Sequence, residues 1–297
     1  MSTKYFNPYT DFGFKKLFGE EANKDLLTDF LNAVLPREHA IETLEFRNSE
    51  LLGRSAQDRK AVYDIFCQAK NGERFIVEMQ KAKQLYFKDR ALFYAARPIV
   101  EQAVQGEWDY KLAAVYLVAI VDFLYDESKE LEKFSRDVML MDQYGKPFSD
   151  KLRMKFLQMP TFTKTESELE TQEEKWYYFL KNLESFDDIP AILREPVFEK
   201  AFLTAELAAM SKKDRERYDS DLDIYRDNYA AFKTAEIEGY DKGKADGIEE
   251  GIEKGIEKGR NAEKVDIARN LKQMGLDPAA IAKATNLSLR EIGKIDD

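Results

Sequence analysis

Two acidic residues fall where a strand should be apolar. Asp64 and Glu78 interrupt the runs VYDIF and FIVEMQ. Side chains alternate faces along a strand, so Lys60, Val62, Asp64 and Phe66 share one side of the first run. Arg74, Ile76, Glu78 and Gln80 share one side of the second. Asn71-Gly72 between them is a short-hairpin signal, and a short turn can bring Asp64 close to Glu78. Burying a carboxylate is costly unless something compensates it. A divalent cation would do so; the plainer reading is an exposed sheet face carrying ordinary charges. The chain has a single histidine, His39, and a single cysteine, Cys67. Zinc sites need three or four such ligands, so any metal must be held by oxygen, which points to Mg²⁺, Mn²⁺ or Ca²⁺. A Ser-His-Asp site is disfavoured on the same count, and an intramolecular disulfide is excluded. Two carboxylates with Mg²⁺ suit phosphodiester hydrolysis, where the metal polarises the phosphoryl oxygen and lowers the pKa of an attacking water.

The elements that must position these residues follow from period and punctuation. Thr10 can cap a helix with Phe14, Leu17 and Phe18 at helical spacing, and a second helix spans about 22–34, stopped by Pro36. Residues 41–52 read as strand, 60–69 as a stronger strand, and 74–80 as its hairpin partner. A helix follows over about 86–105, bent or interrupted near Pro98. Residues 111–123 read as a central buried strand. This order predicts an α/β fold, a mixed sheet flanked by helices. Residues 134–160 could add one or two strands. From Glu173 the pattern is helical, with Trp176, Phe179, Leu180 and Leu183, and helices continue over about 196–233 as a subdomain that covers the sheet. Arg90, Tyr94 and Arg97 share helical spacing after the acidic pair. They read either as a phosphate track or as a helix that packs its tyrosine inward and exposes its arginines. Cys67 faces opposite Asp64 and reads as core; His39, beside a loop, reads as surface.

A chain of 297 residues can bury a sizeable core and form one domain with appendages, or two domains. Its apolar runs are shorter than the roughly 20 residues that span a bilayer, and the N-terminus lacks an apolar signal core, so a cytoplasmic protein is expected. The net charge of −10 argues against non-specific adhesion to nucleic acid. Residues 1–125 hold 17 basic and 18 acidic residues, leaving 29 and 38 for the rest, so the acidity lies mostly outside the segment that carries Asp64 and Glu78. Glycine recurs at 239, 243, 247, 251, 255 and 259. Glycine costs about 1 kcal/mol per helical position, yet this spacing sets it and Ile248, Ile252 and Ile256 on drifting stripes. A helical self-association stalk and a loosely ordered linker both remain open. The last segment reads as three short helices in a helix-turn-helix-like arrangement. Gly275 ends the first, Asp277-Pro278 starts the second, and Ser288 with Glu291 forms a capping box for the third. An accessory or assembly role is favoured there over DNA reading.

Asp64 … Glu78-Met79-Gln80 resembles the PD-(D/E)XK nuclease motif. The context is similar to the bacterial recombination-promoting nuclease and transposase branch. The matching pieces are Thr10-Asp11-Phe12-Gly13-Phe14-Lys15, DRKAVYDI, IVEMQ, DRALFYAAR, the glycine-repeat tail and the terminal helical motif. The resemblance spans nearly the whole chain; the core motif is short, and the ordered series carries more. It implies a restriction-endonuclease-like fold, DNA as substrate, Mg²⁺ (with Mn²⁺ as substitute) as cofactor, and an endonuclease linked to recombination or transposition. Asp64 and Glu78 would be the metal ligands, and Gln80 stands where the motif has lysine. Lys81 is adjacent but faces the other side, whereas Lys60 shares a face with Asp64 and is the preferred stand-in. Asp11 would be an auxiliary acid of the metal site, and Arg90, Tyr94 and Arg97 would contact DNA. The expected divisions are a nuclease-like domain at 1–160, a helical subdomain at 161–235, a glycine-repeat helix or linker at 236–261, and the helix-turn-helix-like motif at 262–297. The alternative is a catalytically degenerate nuclease-fold protein that acts as a DNA-binding or self-assembly factor; the missing lysine supports it best.

Overall fold

A computed structural model describes residues 3–36, 40–51, 61–82, 84–103, 106, 108–124 and 134–295. Lys60 and His39 lie outside the described residues. Helix α1 (Asp11–Phe18) begins where Thr10 Oγ1 accepts the Gly13 N–H at 3.0 Å. Gly13 is required there, because a Cβ would lie 2.4 Å from the Asn7 carbonyl oxygen. Helix α2 (Lys24–Val34) buries Leu26, Leu27, Phe30, Leu31 and Val34, a spacing of one, three and four that faces one core.

The expected strand over 41–52 is two short ones, β1 (Leu44–Phe46) and β2 (Glu50–Leu51). Its stronger successor is likewise split, into β3 (Ala61–Val62) and β4 (Ile65–Ala69). Gly72, at φ +88°, makes the turn into β5 (Arg74–Gln80). Helix α3 (Phe87–Val100) ends five residues before the expected limit, with Pro98 inside its last turn. Strand β6 (Val115–Val121) is buried along its whole length. A long hairpin, β7 (Ser135–Met141) and β8 (Pro147–Gln158), completes a sheet of order β1-β4-β5-β6-β8-β7. Strands β5, β6 and β8 run parallel, and the flanking pairs are antiparallel. Strands β2 and β3 form a separate ladder.

The mixed sheet separates two apolar cores. On one face Phe75, Val77, Tyr116, Val118 and Ile120 pack with α1, α2, α4 (Gln172–Asn182) and α5 (Pro196–Ala205). Helices α4 and α5 therefore share one core with the N-terminal helices. Phe18, Phe30, Phe198 and Trp176 meet ring to ring there, and the indole N–H donates to Asp29 Oδ1 at 2.7 Å. On the other face Ile76, Val115, Leu117 and Ala119 receive α3 through Phe87, Ala91 and Ala95. This is the α/β sheet flanked by helices that the element order predicts.

Helix α6 (Lys212–Gln273) runs through the six evenly spaced glycines, and an added Cβ would meet nothing within 4 Å at any of them. Helices α7 (Pro278–Thr285) and α8 (Leu289–Ile292) follow. Asp277 caps α7 by accepting the Ala279 and Ala280 N–H groups, Asn286 takes the left-handed conformation at its end, and Ser288 with Glu291 closes a capping box. The chain divides into two compact units, 1–230 and 231–297. The second has its own small core of Ala268, Ile281, Ile292 and Ile295. Among the described residues, no helix is long and apolar enough to cross a membrane.

Candidate active site

The β4–β5 ladder stops at the Ile65–Val77 pair. Beyond it, side chains replace backbone partners. Met79 N–H donates to Asp64 Oδ2 at 2.8 Å, and Asp64 N–H donates to Glu78 Oε1 at 3.2 Å. Each acid thus satisfies a backbone donor freed at the strand end, and the two carboxylates are locked side by side. Gln80 Nε2 donates to Glu78 Oε2 at 3.2 Å. Glu78 is only 4% exposed. Burial, and then the charge of Asp64, push its carboxyl up to about 8. Burial also raises Asp64, against the opposing pull of the Met79 N–H and of Lys15. Both shifts favour a proton held by the pair, because a buried carboxylate and a half-buried one side by side are poorly solvated when both are charged.

Groups from both sheet faces act on this pair. From α1, Lys15 lowers and Asp11 raises the proton affinity of Asp64. Asp11 is engaged with Lys15 at 2.8 Å. Among the described residues, no three of His, Cys, Asp and Glu gather closely enough to hold one ion. From α3, the Arg90 guanidinium favours the ionised form of both Asp64 and Glu78. It donates to Gln84 Oε1 at 2.6 Å and lies 4.9 Å from the Tyr94 ring centroid. Tyr94 itself packs inward: it meets Tyr63 edge-on at 5.4 Å, and its carbonyl accepts the Tyr63 hydroxyl at 3.1 Å. Arg97 lies 5.6 Å from the Phe93 centroid, and its charge is felt at Tyr63 and Glu101.

Lys81 sits on the α1 side of the sheet, the face that Val77 and Met79 also take and the one strand alternation assigns to it. Its Nζ lies 5.1 Å from the Tyr225 ring centroid; burial lowers its proton affinity, against the opposing charges of Asp11, Asp221 and Asp64. Asp221 also accepts the Phe12 N–H at 3.0 Å, tying the first turns of α6 to the start of α1. Lys15 was legible as the residue one turn after Asp11. Asp221 and Tyr225 carried no local signal; only folding returns a segment so distant in sequence to this edge of the site. Cys67 is fully buried, and burial pushes its thiol up to about 12, so it takes no part in chemistry here.

The pair fits a hard divalent cation. Mg²⁺ characteristically takes one or two protein carboxylates and completes its shell with water and substrate phosphate, and a cation would replace the retained proton. The six-stranded mixed sheet with helices on both faces is a restriction-endonuclease-like α/β architecture. No curated protein and no solved structure matches the chain. A family model described as PD-(D/E)XK nuclease family transposase matches residues 8–235, which takes in α1, the hairpin with Asp64 and Glu78, α3, and the start of α6; the chain belongs to that family.

Proposed function

We propose that the chain is an Mg²⁺-dependent DNA endonuclease that cuts phosphodiester bonds during transposition or recombination, with Asp64 and Glu78 as the metal ligands. The observation that carries this reading is the pair of acids at the end of β5, buried Glu78 and half-buried Asp64, held together by the bonds of Met79 N–H to Asp64 and Asp64 N–H to Glu78. Bound there, Mg²⁺ or Mn²⁺ would supply Lewis-acid polarisation of the scissile phosphate and a lowered pKa for the attacking water. The chain's own groups prepare that chemistry. Met79 N–H orients Asp64, and the Gln80 amide orients Glu78, so Gln80 is a positioning residue and not a source of charge. Arg90 supplies positive charge on the α3 side for the phosphate, where charge grows in the transition state. Lys15 and Lys81 supply it on the α1 side, with Asp11 holding Lys15 in place. Lys60 keeps its proposed role in positioning water or phosphate. Self-association through the helix over 237–260, in a cytoplasmic protein, completes the reading.

The second reading, a degenerate scaffold, draws on Gln80 in the lysine position. Plasmid nicking with Mg²⁺ separates the two. Wild type should nick, while Glu78→Ala and Asp64→Ala should lose at least about 100-fold in rate, the usual scale for removing a group that stabilises the transition state directly. Equal activity in all three preparations would mean a contaminating nuclease and defeat the proposal.

A further inference from the structure

Helix α3 presents an outer face that the acidic pair does not explain. Arg90, Phe93 and Arg97 recur three and four residues apart, which sets them along one side of the helix, and Tyr86 precedes its first turn in a left-handed conformation. Tyr86 is 71% and Phe93 41% exposed, and Leu85 and Leu92 beside them are exposed as well. The cations are interleaved with rings: Arg90 lies over Tyr94, and Arg97 over Phe93. Helix α3 carries Lys88, Arg90 and Arg97 against Asp89 alone, a local positive excess in a chain of net charge −10. The helix also meets the segment that carries Asp64, because Tyr94 packs edge-on against Tyr63 at 5.4 Å and its carbonyl accepts the Tyr63 hydroxyl at 3.1 Å.

Cations suffice to hold the backbone of a duplex, whose base faces are already stacked on one another. Exposed rings between those cations gain free energy only where a base face is free. We propose that the outer face of α3 binds an unpaired DNA strand, with bases stacked on Tyr86 and Phe93 and phosphates held by Arg90 and Arg97 on the approach to Asp64 and Glu78. The inference rests on the nuclease reading for what the strand meets at the end of its path, and it names the substrate as DNA with single-stranded character.

Fluorescence anisotropy in EDTA tests it, with fluorescein-labelled oligo-dT and a duplex of the same length as probes. Wild type should bind oligo-dT more tightly than the duplex. Tyr86→Ala and Phe93→Ala should each weaken oligo-dT binding about 5- to 100-fold, the range found when a base-stacking ring is removed, and leave duplex binding nearly unchanged. Phe93→Trp should retain affinity and Phe93→Leu should lose it, which distinguishes stacking from a generic apolar contact. All four changes are at exposed positions, and matched melting curves establish that the variants are folded. Equal affinity for strand and duplex, unchanged binding in both alanine variants, or equivalence of the Leu and Trp variants would each overturn the proposal. Plasmid nicking by Glu78→Ala is read separately: if it cleaves like wild type, the nuclease reading fails, while the binding comparison still decides the stacking face.

Discussion

Replacing Glu78 by glutamine should stabilise the metal-free protein, and the gain should grow with pH. Glu78 is buried, with its carboxyl raised from the ordinary value of 4.5 to about 8 by burial and by Asp64. A raised folded-state value means that the native protein holds its proton to higher pH than the unfolded chain does. The associated stability is fully present below about pH 4.5, declines as pH rises, and is lost above about pH 8. Each unit of displacement is worth about 1.4 kcal/mol, so the ceiling is about 5 kcal/mol. Sharing the proton with Asp64 and local rearrangement on ionisation reduce the expected value to roughly 2–3 kcal/mol. For a unit of this size that is a gap of about 5–10 °C in Tm. Wild type and Glu78→Gln should melt together near pH 5 and separate by that amount near pH 9. Glutamine retains an oxygen for the Asp64 N–H, and a turned Gln80 amide can accept from the new NH2 group, so the pH-dependent part of the difference reports the charge. Trp176, fully buried in the core of the first unit, reports the transition by fluorescence. Saturating Mg²⁺ should restore wild type at alkaline pH and leave the variant unmoved, because ligand binding stabilises only the form that binds it. Melting curves that run parallel for the two proteins from acid to alkali would refute both the burial argument and the claim that a cation replaces a proton here.

Two further outcomes follow from the packing around the pair. Gly13→Ala should destabilise the first unit by about 2–4 kcal/mol, the sum of a forced backbone shift and a disturbed Thr10 cap; a urea melt showing a loss under about 0.5 kcal/mol, the scale of a neutral surface change, would show that Asn7 yields freely. Lys81→Met should move the acidic limb of the pH–rate profile for Mg²⁺-dependent nicking to higher pH, since removing a neighbouring cation raises carboxylate proton affinity; an unmoved profile with unchanged rate would remove Lys81 from the site.

Much of the site was legible because its signals are local. A polar residue inside VYDIF and another inside FIVEMQ, joined by Asn71-Gly72, describe a hairpin that carries its acids at one end. The observed bonds from Met79 N–H and Asp64 N–H complete that description. The caps at Thr10, Asp277 and Ser288 were equally readable, since each needs only a side-chain oxygen within three residues of the donors it accepts. Less could be said of groups whose direction depends on what lies opposite. Tyr94 and the two arginines shared a spacing that fitted two orientations, and only the Tyr63 ring drew the tyrosine inward. Strand alternation gave Lys81 the α1 face, but not the Tyr225 ring and the Asp221 charge, brought from a distant helix, that act on its ammonium there.

Taken alone, the chain's sequence determined the acidic pair, the hairpin that joins it, the α/β order and the oxygen-only character of any metal site, because residue type and spacing along a few consecutive positions set these. Tertiary structure decided that helices α4 and α5 share a core with α1 and α2, that β8 lies between β6 and β7, and that Asp221 returns to secure the helix beside Asp64. Those outcomes depend on which apolar faces bury one another across long loops, and such pairings leave no periodic trace in the segments that make them.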